Sequence, residues 1–140
     1  MASRRFVIDT GILISAALAE QGTPNQAVCA AIDSGTLIFS ADTLAELVRV
    51  FNYEKFDRFV SRERRAQMLL AFGTVSDIVV VSEMVRECED PNDDMILEAA
   101  LAGHADCIIA SDKKLSKMHP FRGIPIVSPA DFLHNIVKSP

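Results

Sequence analysis

Cysteine is scarce in this chain, and what there is does not pair. Cys29, Cys88 and Cys107 are widely separated and odd in number, which argues against a disulfide framework, and no Cys-x-x-Cys pair offers a zinc site. The three histidines, His104, His119 and His134, show no metal-ligand spacing. No apolar run approaches the ~20 residues that cross a bilayer, so no membrane role is expected. Low-complexity segments, internal repeats and Gly/Ser-rich linkers are missing too. No Gly-x-Gly-x-x-Gly follows the first apolar run, which removes a Rossmann-type cofactor domain from serious contention. Basic charge is in deficit: 14 Lys and Arg face 19 Asp and Glu, for a net charge of −5. That is the wrong sign for a generic nucleic-acid binder.

What is present is a well-supplied core. The 140 residues, 49% of them hydrophobic, are enough for one domain spanning residues 1–140 without staples. The start carries Arg4 and Arg5, but Asp9 follows only Phe6-Val7-Ile8. That is too short for the apolar stretch of a secretory signal, so a cytoplasmic protein is expected. The basic residues are unevenly spread. Arg49, Lys55, Arg58, Arg62, Arg64 and Arg65 form one group, and Lys113, Lys114 and Lys117 another. They are either solvated helix faces or guides for an anionic substrate.

Short β-branched runs alternate with helical patterns. Phe6–Ile8, Leu37–Phe39, Asp77–Val81, Cys107–Ala110 and Ile124–Val127 read as strands, the last an edge because of Pro125. Between them, helical sequence runs from Ile12 to Ala19, from Thr23-Pro24 to Gly35, and from Ser40 or Asp42 through Leu44, Leu47, Val48 and Phe51. Further helices run from Ser61 to about Phe72, from Asp94 to about Ala102, and onward from Ser128-Pro129. The expected fold is a three-layer α/β/α sandwich on a mainly parallel sheet of about five strands. Such sheets place their sites beyond the C-terminal ends of the strands.

Two acids occupy that position. Asp9 ends the first strand and Asp112 follows the fourth, although each also suits a helix N-cap. Asp90, Asp93 and Asp94 surround a turn and a helix start, where one acid, or Asn92, serves as cap. The residues alone do not choose between Asp93 and Asp94 for chemistry. Glu98 lies one turn further on. Glu46 falls opposite the Leu44/Leu47/Val48/Phe51 face of its helix, a position that periodicity assigns to solvent. Converging carboxylates suit Mg²⁺ or Mn²⁺, hard cations that activate water and neutralise charge in phosphodiester hydrolysis.

The order of these pieces resembles a PIN domain, in particular the VapC-like toxin branch, over nearly the whole chain. Val7-Ile8-Asp9-Thr10 is similar to its opening motif, and Leu44-Ala45-Glu46-Leu47 to the motif with a helical glutamate. Asp90-Pro91-Asn92-Asp93-Asp94-Met95-Ile96-Leu97-Glu98 is similar to the third motif, Ile108-Ile109-Ala110-Ser111-Asp112-Lys113-Lys114-Leu115 to the fourth, and Phe121–Pro129 to the usual close. The resemblance implies a site of Asp9, Glu46, Asp94 and Asp112, with Asp9, Asp94 and Asp112 on the metal. Asp94 is preferred to Asp93 by the family's interval to the last acid. It also implies Mg²⁺- or Mn²⁺-dependent cleavage of RNA, a homodimer and a small antitoxin partner. At two places the chain departs from the family: Gly11 stands where Asn is frequent, and Ala110 where Thr or Ser is frequent. The rival readings are a metal-dependent DNA nuclease or phosphatase on the same acids, and a binding module with a weak site.

Overall fold

The computed structural model describes residues 4–138. The elements are β1 Arg4–Ile8, α1 Thr10–Leu18, α2 Thr23–Ser34, β2 Gly35–Ser40, α3 Ala41–Phe51, α4 Arg62–Thr74, β3 Ser76–Val79, α5 Asp94–Ala102, β4 Cys107–Ile109, α6 Lys113–Ser116, β5 Ile126–Val127 and α7 Pro129–Lys138. Single 3-10 turns sit at Glu54–Phe56 and Pro91–Asp93.

All strand pairs are parallel, in the order β3-β2-β1-β4-β5. The expected α/β/α architecture is therefore the one observed. From Phe6 to Ile8, β1 is buried on both faces, which is why that stretch is continuously apolar rather than alternating. Phe6 and Ile8 join a cluster with Ile12, Leu13, Phe39, Leu47, Phe51, Phe72 and Phe132. Val7 points the other way, into Ile38, Ile96, Leu97, Ile108, Leu115 and Phe121. Gly35 lets β2 close on β1: a Cβ there would lie 2.1 Å from the Arg4 carbonyl oxygen, so no larger residue keeps this register.

The two edges differ. β5 is two residues long and bordered by Pro125, as its proline predicts. β3 is longer but stops at Val79, not at Val81 as its valines suggest. The reason lies in its neighbour: Ser40, the partner of Val79, caps α3, so β2 turns away and leaves Val80 without a ladder. From β1 the chain builds outward to β2 and β3, then crosses to β4 and β5. The crevice of this topology therefore opens at the C-terminal ends of β1, β2 and β4.

Candidate active site

A cleft of about 280 Å³ lies at that crevice, lined by Asp9, Thr10, Gly11, Glu46, Asp90, Asn92, Asp93, Ile96, Ser111 and Asp112. Asp9 forms its floor. It is only 8% exposed, and it is both cap and cleft residue. Its Oδ1 accepts from the Ile12 amide at 2.8 Å, capping α1, and its Oδ2 accepts from the Ser111 amide at 3.2 Å. Each oxygen keeps a further lone pair for another partner. Burial pushes the Asp9 carboxyl above its ordinary pKa. The two amides oppose that shift and the neighbouring Asp112 adds to it.

Asp112 is likewise a cap, accepting from the Lys114 amide at 2.9 Å at the start of α6. It faces the acids of the 90–93 turn. Asp90 accepts from the Asn92 amide at 3.0 Å and opens the 3-10 turn. Asp93 follows one 3-10 turn later, and residues three apart eclipse in such a turn, so Asp90 and Asp93 share a side. Carboxylate oxygens of Asp90, Asp93 and Asp112 all lie within 4.8 Å of one another. The Asp93 Oδ2 is buried without a hydrogen-bond partner, alone in this respect among the described residues. Its carboxyl is pushed up to about 7, first by burial and then by Asp112, Asp90 and Asp9.

Asp94 does not join this group. Its Oδ1 accepts from the amides of Glu87 and Cys88, at 3.1 and 2.9 Å, while Glu98 one turn on accepts from the Val85 amide at 2.9 Å. The pair holds the 85–88 segment on the far side of α5, and Asp94 and Glu98 line a separate surface hollow there. Cys88 beside them has its thiol pushed up to about 12 by burial and by Asp94, and is correspondingly inert. The interval to Asp112 thus points one residue past the acid that faces the cleft. A readable signal was the helix phase: Ile96, Leu97 and Ala100 are buried, which places Asp93 (three, four and seven residues earlier) on the inward stripe and Asp94 beside it.

Glu46 does reach the cleft. The buried stripe of α3 is Thr43, Leu47 and Phe51, and Val48 is 42% exposed. Of the expected Leu44/Leu47/Val48/Phe51 stripe, Leu47 and Phe51 are buried and Leu44 packs against the core, while Val48 faces out and Thr43 faces in. Thr43 turns inward because its hydroxyl bonds back to the Ser40 amide at 2.8 Å while its own amide bonds the Ser40 hydroxyl at 3.1 Å. Glu46 then lies three residues beyond Thr43 on the cleft side, with Arg49 3.6 Å away.

Much of the basic run is structural. Arg65 is buried, donating to the carbonyls of Phe51 and Tyr53 at 2.8 and 3.0 Å and pairing with Asp57. Arg62 pairs with Asp57 and Arg64 with Glu20. Lys113 and Lys114 are exposed immediately after Asp112.

The donors of the cleft are all oxygens, they carry excess negative charge, and one of them is buried and unsatisfied. That set fits a hard divalent cation and does not fit a soft metal or an anion.

Fold and cleft together define a parallel α/β/α sandwich with an oxygen-donor acidic centre at its topological switch point. The family model described as PIN domain matches residues 5–114, and the chain belongs to that family. Among solved structures, it is similar to VapBC2 from Rickettsia felis, determined bound to a DNA fragment from their promoter. That match has 16% identity and a TM-score of 0.58, covering 89% of this chain and 98% of that one. It is also similar to PAE2754 from Pyrobaculum aerophilum, at 10% identity and a TM-score of 0.65, covering 97% of this chain and 91% of that one. Comparison with curated proteins finds no significant match. No helix among the described residues is long and apolar enough to cross a membrane.

Proposed function

We propose that this chain is a Mg²⁺- or Mn²⁺-dependent endoribonuclease, the toxin of a toxin–antitoxin pair, acting in the cytoplasm as a homodimer restrained by a small antitoxin. The observation that carries the chemistry is the cluster of Asp90, Asp93 and Asp112 beside Asp9, with the Asp93 oxygen buried and unsatisfied. Membership of the PIN family and the extended likeness in fold to VapBC2 support the nuclease and its antitoxin.

Asp9, Asp93 and Asp112 would hold the cation, with Asp90 as a further oxygen donor. When bound, the metal lowers the pKa of a water and offsets charge developing on the phosphate. Asp9 is fixed by two backbone amides and so presents its remaining lone pairs in one orientation. Glu46, which lines the same cleft, would accept a proton from the attacking water or orient it. Lys113 and Lys114, exposed after Asp112, contact the RNA backbone.

The test uses the purified protein with structured RNAs, single-stranded DNA and small phosphoesters, each with Mg²⁺, Mn²⁺ or excess chelator. RNA cleavage that needs the metal and is lost in Asp93→Asn is the expected result. Cleavage that continues in chelator, or that Asp93→Asn leaves at full rate, would sink the mechanism. Preference for DNA or for small esters would overturn the substrate.

A further inference from the structure

We propose that the turn between α3 and α4 is a stacking platform for single-stranded RNA, along which a strand runs into the acidic cleft. The inference rests on the reading of that cleft as a ribonuclease site and adds the kind of RNA it takes.

Residues 53–59 read Tyr-Glu-Lys-Phe-Asp-Arg-Phe, with an aromatic residue at every third position. The Phe56 amide donates to the Tyr53 carbonyl at 3.2 Å, Asp57 to Glu54 at 2.9 Å and Phe59 to Phe56 at 3.0 Å. Bonds of that span wind the chain at about three residues per turn, so side chains three apart line up. Tyr53, Phe56 and Phe59 form one row, and Lys55 and Arg58 form the row beside it. The Tyr53 and Phe56 rings are nearly parallel, at 17°, with centroids 6.3 Å apart. The Lys55 ammonium lies 5.6 and 5.3 Å from those two centroids, and the Arg58 guanidinium 5.3 Å from that of Phe59.

Three observations make this a surface for a ligand. Phe59 is 65% exposed, the one aromatic ring among the exposed large apolar side chains of the described residues. Lys55 and Arg58 make no ion pair among the described residues, whereas Arg62, Arg64 and Arg65 close by are all paired. The rows are also fixed in advance, because buried Arg65 ties the Phe51 and Tyr53 carbonyls to Asp57. Arg49 joins the platform to the cleft: it pairs with Glu46 at 3.6 Å, donates to the Tyr53 hydroxyl and lies 5.7 Å from that ring's centroid.

A ring and an unpaired cation that recur at the same step suit a strand in which base and phosphate alternate. A duplex keeps its bases stacked on one another and offers no free face. An apolar protein segment would cover the rings but leave Lys55 and Arg58 uncompensated. Charge complementarity therefore favours RNA, in a stretch where six basic residues from Arg49 to Arg65 face three acids although the chain as a whole is acidic.

Tyr53 is the chain's one tyrosine and tryptophan is absent, so intrinsic emission reports this surface alone. The test follows that emission as oligouridylate, or an RNA duplex of equal length, is added in excess chelator, so that no metal-dependent cleavage intervenes. Free tyrosine amide corrects for absorption by the RNA. Saturable quenching by oligouridylate, with little by the duplex, is the expected result. Anisotropy of labelled oligouridylate then compares variants at exposed Phe59. Phe59→Leu should weaken binding roughly tenfold or more, and Phe59→Tyr should stay within about threefold of the wild type. Binding without quenching, a duplex bound as tightly, or Phe59→Leu equal to the wild type (as an apolar protein contact would give) overturns the platform and leaves the ribonuclease standing. Quenching and ring-dependent binding in a chain that cleaves no RNA with Mg²⁺ or Mn²⁺ supports the platform and overturns the ribonuclease.

Discussion

Asp93 and Asp94 are neighbours in sequence and opposites in structure. Asp93 ends the 3-10 turn facing the cleft, with a buried oxygen that has no partner. Asp94, about 100° further round the helix, gives one oxygen to two backbone amides and holds the 85–88 segment. The same side chain is under-satisfied in one place and doubly used in the other. An unsatisfied buried carboxylate costs stability that a folded chain recovers when something binds there. A satisfied one is part of the scaffold.

The largest contrast is expected in activity. Asp93→Asn should lower metal-dependent RNA cleavage by roughly 100-fold or more, whereas Asp94→Asn, assayed where it is folded, should stay within about threefold. Single-turnover cleavage checks both. Stability should separate the two with opposite signs. Asp94→Ala strands the Glu87 and Cys88 amides and should cost about 1–3 kcal/mol in urea unfolding. Asp93→Asn should leave the metal-free protein as stable or slightly more so.

The pH dependence follows from the raised Asp93 pKa. Folded Asp93 holds its proton up to about 7, against 3.8 for the ordinary carboxyl. Between those values the folded state binds more protons than the unfolded, so this group's contribution to stability falls as pH rises and is flat above about 7. Subtracting the metal-free Asp93→Asn melting curve from that of the wild type over pH 4 to 8 should isolate that slope; parallel curves would contradict the shift. The smallest effect belongs to the other end of the scaffold. Glu98→Gln keeps an acceptor for the Val85 amide and should cost under about 1 kcal/mol by the same unfolding assay.

Much of the fold was legible because its physics is local. Apolar runs bounded by caps and turns specified β1, β2 and β4, and the rule for parallel sheets put Asp9 and Asp112 at the same crevice. Their alternative readings as N-caps describe the structure too, since each caps a helix while lining the cleft. Less local features were misread. Val80 has strand propensity, but its ladder depends on where β2 ends. Periodicity alone assigned Glu46 to solvent, because a buried threonine, turned inward by its bond to Ser40, was not counted in the helix stripe, and only the resemblance placed Glu46 at the site. Asp94 was preferred because an interval in residues does not register which side of α5 an acid faces. In each case the missing information was a neighbour's geometry.

The most direct test of the central contrast needs no substrate. Mn²⁺ titrated calorimetrically into wild type, Asp93→Asn and Asp94→Asn should give comparable binding for wild type and Asp94→Asn. Binding to Asp93→Asn should be weaker by at least about tenfold. Loss of binding in Asp94→Asn with retention in Asp93→Asn would contradict the account.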